Sequence, residues 1–178
     1  MKKFLIIFFL IFGSGLGIAY GFNAGWYPAA FISPAAGDTK IIWAKEVNQV
    51  NRASIIYYQR LGAKIDAPTK AQIRLAALDK IIEKALISNQ LNALASPELT
   101  ALVEQILTKY QDKPELGPAA AELYGLSLEE FYKLVLVPQA EREWWEKKLG
   151  EEGQTLEEWL AQQKQTTKIV RFLKYLRA

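Results

Sequence analysis

The chain has 178 residues, with 22 Lys and Arg against 19 Asp and Glu, and neither histidine nor cysteine. The missing imidazole and thiol remove His-based acid–base catalysis, Ser-His and Cys-His nucleophile pairs, most zinc sites, disulfide staples and a lipoprotein anchor. With Lys2 and Lys3 set aside, 20 basic and 19 acidic residues leave a formal charge of +1, which is not the balance of a nucleic-acid binder.

The first element is an uncharged run of 19 residues from Phe4 to Phe22, preceded by Lys2 and Lys3. At ~1.5 Å per residue it reaches about 28 Å as a helix, close to the hydrocarbon thickness of a bilayer. Residues 1–22 are therefore expected to form a single-pass transmembrane anchor. The lysine pair places the N-terminus in the cytoplasm and the remaining chain on the extracytoplasmic side of the cytoplasmic membrane. A cleaved signal peptide is the rival, with Gly17, Ala19 and Ala24 as cleavage options. Signal cores are shorter, however, and Tyr20, Phe22, Trp26 and Tyr27 suit a membrane interface belt. Gly13, Gly17 and Gly21 repeat at four, the spacing through which transmembrane helices approach closely, and offer a homodimer contact.

Residues 23–38 contain Gly25, Pro28, Pro34 and Gly37, which forbid a continuous helix, and read as a spacer. Residues 39–178 read as one helical domain. From Thr39, the residues Trp43, Val47, Val50, Ser54, Tyr57 and Leu61 recur at alternating four and three, one face of a first helix ended by Gly62. A second helix opens with Thr69 and Gln72 as a capping box, runs to Leu94 and points Leu75, Leu78, Ile82 and Ala85 inward. Ser96, Pro97 and Glu98 supply the cap, first-turn proline and acid of a third helix, which stops before Pro114. A short helical turn over 119–124 closes at Gly125.

Ser127 and Glu130 form the next capping box. Helix four then runs from Leu128 to Leu149, with a kink near Leu134 to Val137 where Pro138 removes an internal hydrogen bond. Gly150 and Gly153 bracket a turn. Thr155 and Glu158 start the last helix, which is expected to reach Arg177 with Leu156, Trp159, Leu160, Val170, Leu173 and Leu176 inward. No hairpin signal interrupts the pattern. The sum is about three quarters helix, against about one third in an average domain, so the fold class is all-α.

Few residues invite chemistry. The adjacent carboxylates Glu129–Glu130, Glu151–Glu152 and Glu157–Glu158 diverge by about 100° on a helix and read as solvated faces. No phosphate loop, nucleophile elbow or metal-spaced acidic cluster occurs, so neither cofactor nor catalytic residue is expected. The segment LDKIIEKAL, Leu78 to Leu86, resembles the second-helix signature of SurA-type chaperones. GLSLEEFYKLVLVPQAERE, Gly125 to Glu143, resembles a later helix of the same N-terminal domains, proline included. YPAAF, Tyr27 to Phe31, resembles the approach to the domain in membrane-anchored members. The resemblance implies a helical, SurA-N-like domain that holds unfolded polypeptide. The parvulin prolyl isomerase domain that this family usually inserts before its last helix has no room between Gly150 and Gln154, and its histidines are missing. SPAAGDTK replaces the family's Asn-Gly turn.

The expected polypeptide contacts are Tyr132, Leu136, Trp144 and Trp159, with Tyr57 and Tyr58 opposite, since aromatics give large contact area and a kink at Pro138 opens a groove. Adjacent Trp144 and Trp145 cannot both face inward. Lys164, Lys168, Arg171 and Lys174 make a basic stripe on the last helix suited to anionic lipid or acidic clients. The expected function is non-catalytic binding of unfolded or extended polypeptides by a membrane-anchored domain. The alternatives are an adaptor for one envelope or membrane protein and a component of a prolyl isomerase system.

Overall fold

The computed structural model describes residues 25–34, 39–94, 96–111 and 113–172, so the expected anchor and its glycine face lie outside the described residues. The chain is mostly helical, as expected, but it also builds a small sheet. Strand β1 (Pro28–Ser33) pairs antiparallel with β2 (Lys40–Trp43) on one side and with β3 (Lys168–Arg171) on the other. The helices are α1 (Ala44–Arg60), α2 (Ala67–Leu94), α3 (Pro97–Gln111), α4 (Leu116–Tyr124), α5 (Leu128–Phe131), α6 (Val137–Glu151) and α7 (Leu156–Thr166). A π-helical turn, Tyr132–Leu136, joins α5 to α6. Among the described residues, no helix is long and apolar enough to cross a membrane.

The sheet corrects three expectations. Part of the supposed spacer is the central strand, with Pro28 at its first position, where no ladder donor is lost within the strand. The first helix starts at Ala44, because Lys40 to Trp43 are extended and Trp43 is its N-cap. The last helix stops at Thr166, since KIVR leaves it to pair with β1, so Lys168 and Arg171 of the expected basic stripe stand on a strand, while Lys174 and the expected inward Leu173 and Leu176 lie outside the described residues. Lys164 instead pairs with Glu83 at 2.7 Å, and Arg171 with Asp79 at 2.8 Å. Val170, expected inward, is 39% exposed on β3. Leu75, also expected inward, is exposed on α2, and Leu61, expected on the same helical face as Val47, is exposed past the end of α1.

One core holds the sheet against the helices. Ile32 and Ile42 from the sheet's inner face meet Leu78, Ile82 and Leu86 of α2, Trp145 and Leu149 of α6, and Leu156 and Trp159 of α7. A smaller cluster of Ala53, Ala120, Leu126 and Phe131 ties α1 to the α4–α5 corner. That corner comes close because Gly125 adopts φ +64 as the C-cap of α4. A Cβ there would lie 2.5 Å from Ile56 Cδ1.

The starts of α3, α5 and α7 follow the sequence signals closely. Both capping boxes are made: Ser127 Oγ accepts from Glu130 N–H while Glu130 accepts from Ser127 N–H, and Thr155 and Glu158 do the same. The second helix is a correction. It begins at Ala67, and Asp66 caps it by accepting from Thr69 N–H at 2.9 Å, which places Thr69 inside the first turn.

These three carboxylates titrate below their ordinary range. Asp66 does so through the Thr69 side chain and then its amide, Glu130 through the Ser127 amide, and Glu158 through the Thr155 amide. The folded state binds their protons more weakly than the unfolded chain, so their stabilisation is complete above about pH 4–5 and is lost as pH falls through the lowered values. Urea midpoints are expected to drop on acidification across that window. In the Glu130→Gln, Glu158→Gln double variant, whose side chains still accept the cap bonds, the drop should be shallower.

Candidate functional site

The proline read from the sequence as a kink does shape a hollow. Pro138 has no N–H to donate, and the preceding turn widens: Val137 N–H reaches back five residues to the carbonyl of Tyr132. In that five-residue register the next donor would be residue 138, so the carbonyl of Lys133 is left without a helical partner. Lys84 Nζ from α2 donates to it at 3.4 Å. Burial holds the Lys84 ammonium below its ordinary value, with Glu46 and Glu141 opposing the shift.

The widened turn presents Leu134 and Val135 toward α1. Between them lies a hollow of about 420 Å³, lined by Val50, Ala53, Tyr57 and Tyr58 of α1, Tyr124 and Leu126 of the α4–α5 corner, and Lys80 and Gln139 at its rim. It runs on into a second hollow of about 260 Å³ over Ile81, Lys84 and Ile87 of α2 and Pro138 and Arg142 of α6. The two share Val50, Lys80, Leu134 and Gln139, and so make one groove with an apolar floor. One end is an aromatic ladder. Tyr58 meets Tyr57 edge-on at 5.9 Å, Tyr57 stacks on Tyr124 at 5.2 Å and 3°, and Tyr124 leans on Phe131 at 5.5 Å.

Polar contacts at the margins fix the groove's width. Gln49 Nε2 donates to Glu130 at 3.1 Å, joining α1 to α5, and Ser88 Oγ donates to Glu141 at 3.0 Å, joining α2 to α6. Glu83 takes Lys164 at 2.7 Å and Arg142 at 3.7 Å. Both signs of charge line the edge, while the floor is mainly hydrocarbon and tyrosine, with the Ser54 hydroxyl among them.

The six expected contact residues are not brought together. Tyr57 and Tyr58 line the groove. Trp144 and Trp159 line a separate hollow of about 680 Å³ with Leu94, Pro97 and Lys148. Trp159 is there largely as core, 6% exposed and edge-on to Trp145 at 5.4 Å. Trp144 is the half-exposed member of its pair, as the helical geometry required, with Lys148 over its ring at 5.7 Å. Tyr132 and Leu136 line neither hollow. Leu136 packs on the smaller core cluster, and the Tyr132 hydroxyl is buried without a hydrogen-bond partner.

Leu134, Val135, Tyr124 and Leu126 line the groove without a local signal in the sequence. The extra residue in the π turn rotates the face seen by α1 from Tyr132 and Leu136 to Leu134 and Val135, and the α4–α5 corner becomes a wall only through the Gly125 approach. Among the described residues, no group of three or more Asp or Glu is placed to hold a metal ion. Comparison with family models, with curated proteins and with solved structures returns no match for this chain.

Proposed function

We propose that this is a membrane-anchored chaperone-like domain that holds unfolded or extended polypeptide on the extracytoplasmic side, without covalent chemistry. The groove beside the π turn carries the reading: an open, tyrosine-ended apolar trough, margined by both signs of charge, suits many segments and selects few. The SurA-like segments supply two of its walls, since Leu78 to Leu86 lies in α2 and Gly125 to Glu143 covers α5, the π turn and the start of α6. The missing isomerase insertion leaves α6 and α7 joined by residues 152–155 alone.

The test uses the full chain in lipid nanodiscs with a thermally unfolding model protein and an extended apolar peptide. Aggregation should be suppressed, and Tyr58→Ala with Val135→Lys should weaken peptide binding about tenfold, the equivalent of about 1.4 kcal/mol lost at the groove. No suppression at several-fold molar excess and no peptide binding would reject the reading. A photocrosslinker at Tyr58 in cells should capture many exported proteins; one stoichiometric partner would favour an adaptor.

A further inference from the structure

The sheet has a second face. In register across the three strands, Ile41, Phe31 and Val170 stand side by side, and their strand neighbours Ile32 and Ile42 go to the core on the opposite face. Phe172 extends the stripe, edge-on to Phe31 at 5.3 Å. Trp43, two residues from Ile41, extends it the other way and meets Trp26 at 6.1 Å. Trp26 is 59% exposed, and Ile41, Trp43 and Val170 are each more than a third exposed. An apolar patch rimmed by polar groups marks a contact surface.

Charge and covalent geometry say what covers it. The strands carry no acidic residue; of their three cations, Lys168 shares the outer face with Val170 while Lys40 and Arg171 alternate to the other face, and Lys45 sits over the Trp26 ring at 5.4 Å. Among the described residues, Lys40, Lys45 and Lys168 take part in no ion pair. The segment expected to span ends at Phe22, three residues before Gly25. Gly25 is tied down: its carbonyl accepts Lys45 N–H at 3.0 Å, Tyr27's accepts Ala44 N–H at 2.9 Å, and a Cβ at Gly25 would meet the Lys45 backbone at 3.0 Å. Three residues reach at most about 11 Å, and a headgroup layer is about 5–8 Å deep. A sheet held that closely to the end of a span has no slack with which to leave the bilayer.

We propose that the outer face of the sheet is seated in the headgroup layer of an anionic bilayer, with Trp26, Trp43, Phe31 and Phe172 at the interface and Lys45 and Lys168 toward lipid phosphate. The inference rests on the anchored reading of residues 4–22. It would hold α1 to α6 in a fixed pose above the membrane, with the groove carried by elements other than the seated face.

The chain has no cysteine, so single-cysteine variants carry one label each. Full-length Ile41→Cys, Val170→Cys and, as control, Leu61→Cys are labelled with an environment-sensitive fluorophore and reconstituted into vesicles of phosphatidylethanolamine and phosphatidylglycerol. Labels at 41 and 170 should shift to shorter wavelength, be quenched by lipids bearing a shallow nitroxide and resist aqueous iodide; the label at 61 should do the reverse. Replacing the anionic lipid with phosphatidylcholine should reduce the shift at 41 and 170. Iodide access at 41 and 170 equal to that at 61, in chains that float with the vesicles, overturns the seat but leaves the anchor. Protection from iodide without nitroxide quenching means that a second copy or another protein covers the face, and also overturns it. Failure to float with the vesicles rejects the anchor, and the seat with it.

Discussion

Ile42→Asp is expected to abolish cooperative folding. Ile42 is 1% exposed on the inner face of β2 and packs in the core with Ile32, Leu78 and Ile82. Truncating such a side chain costs about 2–5 kcal/mol, and an unpaired buried carboxylate adds several more, against a total stability of about 5–15 kcal/mol. Ile42→Val should cost only about 0.5–1.5 kcal/mol. Ile41→Asp, one residue away on the outer face, should cost about 1 kcal/mol or less, because successive strand residues face opposite ways. Urea denaturation followed by far-ultraviolet circular dichroism separates the three. Were residues 39–61 one helix, Ile42 would lie off its inward face, and the aspartate would be almost silent.

The second large effect is at Trp159. Trp159→Ala should lower the free energy of unfolding by about 3–5 kcal/mol, since the ring is nearly buried and packed edge-on to Trp145 in the main core. Trp144→Ala should cost about 1–2 kcal/mol, because the ring is only partly buried at the edge of the core and its stacked contact with Trp145 is loose at 6.5 Å. Equal costs for the two, measured from denaturation midpoints at unchanged m-values, would overturn this division between core and rim. The result matters for function too, since a destabilised Trp159 variant that loses peptide binding has lost its fold and not a contact.

The helices were largely legible because their determinants are local. Ser127 with Glu130, Thr155 with Glu158, Ser96 with Pro97, and Gly125 in the left-handed region each act over four residues or fewer, and each stands where the pattern put it. Pro138 likewise acts on the turn before it. Thr69 failed as a cap because Asp66 offered a carboxylate three residues earlier, with Pro68 free to occupy the first turn.

The strands were not legible, for a physical reason. KIIW and KIVR are four residues each, and each happens to continue the helical phase of its neighbour: Trp43 falls in step with Val47, and Val170 with the apolar positions of α7. Only pairing distinguishes them, and the partner that β3 needs lies some 140 residues earlier in the chain, on β1. The grouping of the expected contacts was no more legible. Tyr57 and Tyr58 stand out as neighbouring aromatics, but a 3.6-residue period cannot foresee the extra residue of a π turn, which brings Leu134 and Val135 to the groove and not Tyr132 and Leu136.

By itself, the amino-acid sequence determined the helix starts at Pro97, Leu128 and Leu156, the break before Pro138, the absence of imidazole and thiol chemistry, and the uncharged stretch ahead of the domain, because these are properties of composition or of a single helical turn. The tertiary structure alone decided that residues 28–33, 40–43 and 168–171 form one sheet, which tyrosines border an open trough and which tryptophan is sealed in the core. Those outcomes depend on contacts between segments far apart in the chain, where the free energy of burial is shared and no local pattern records the partner.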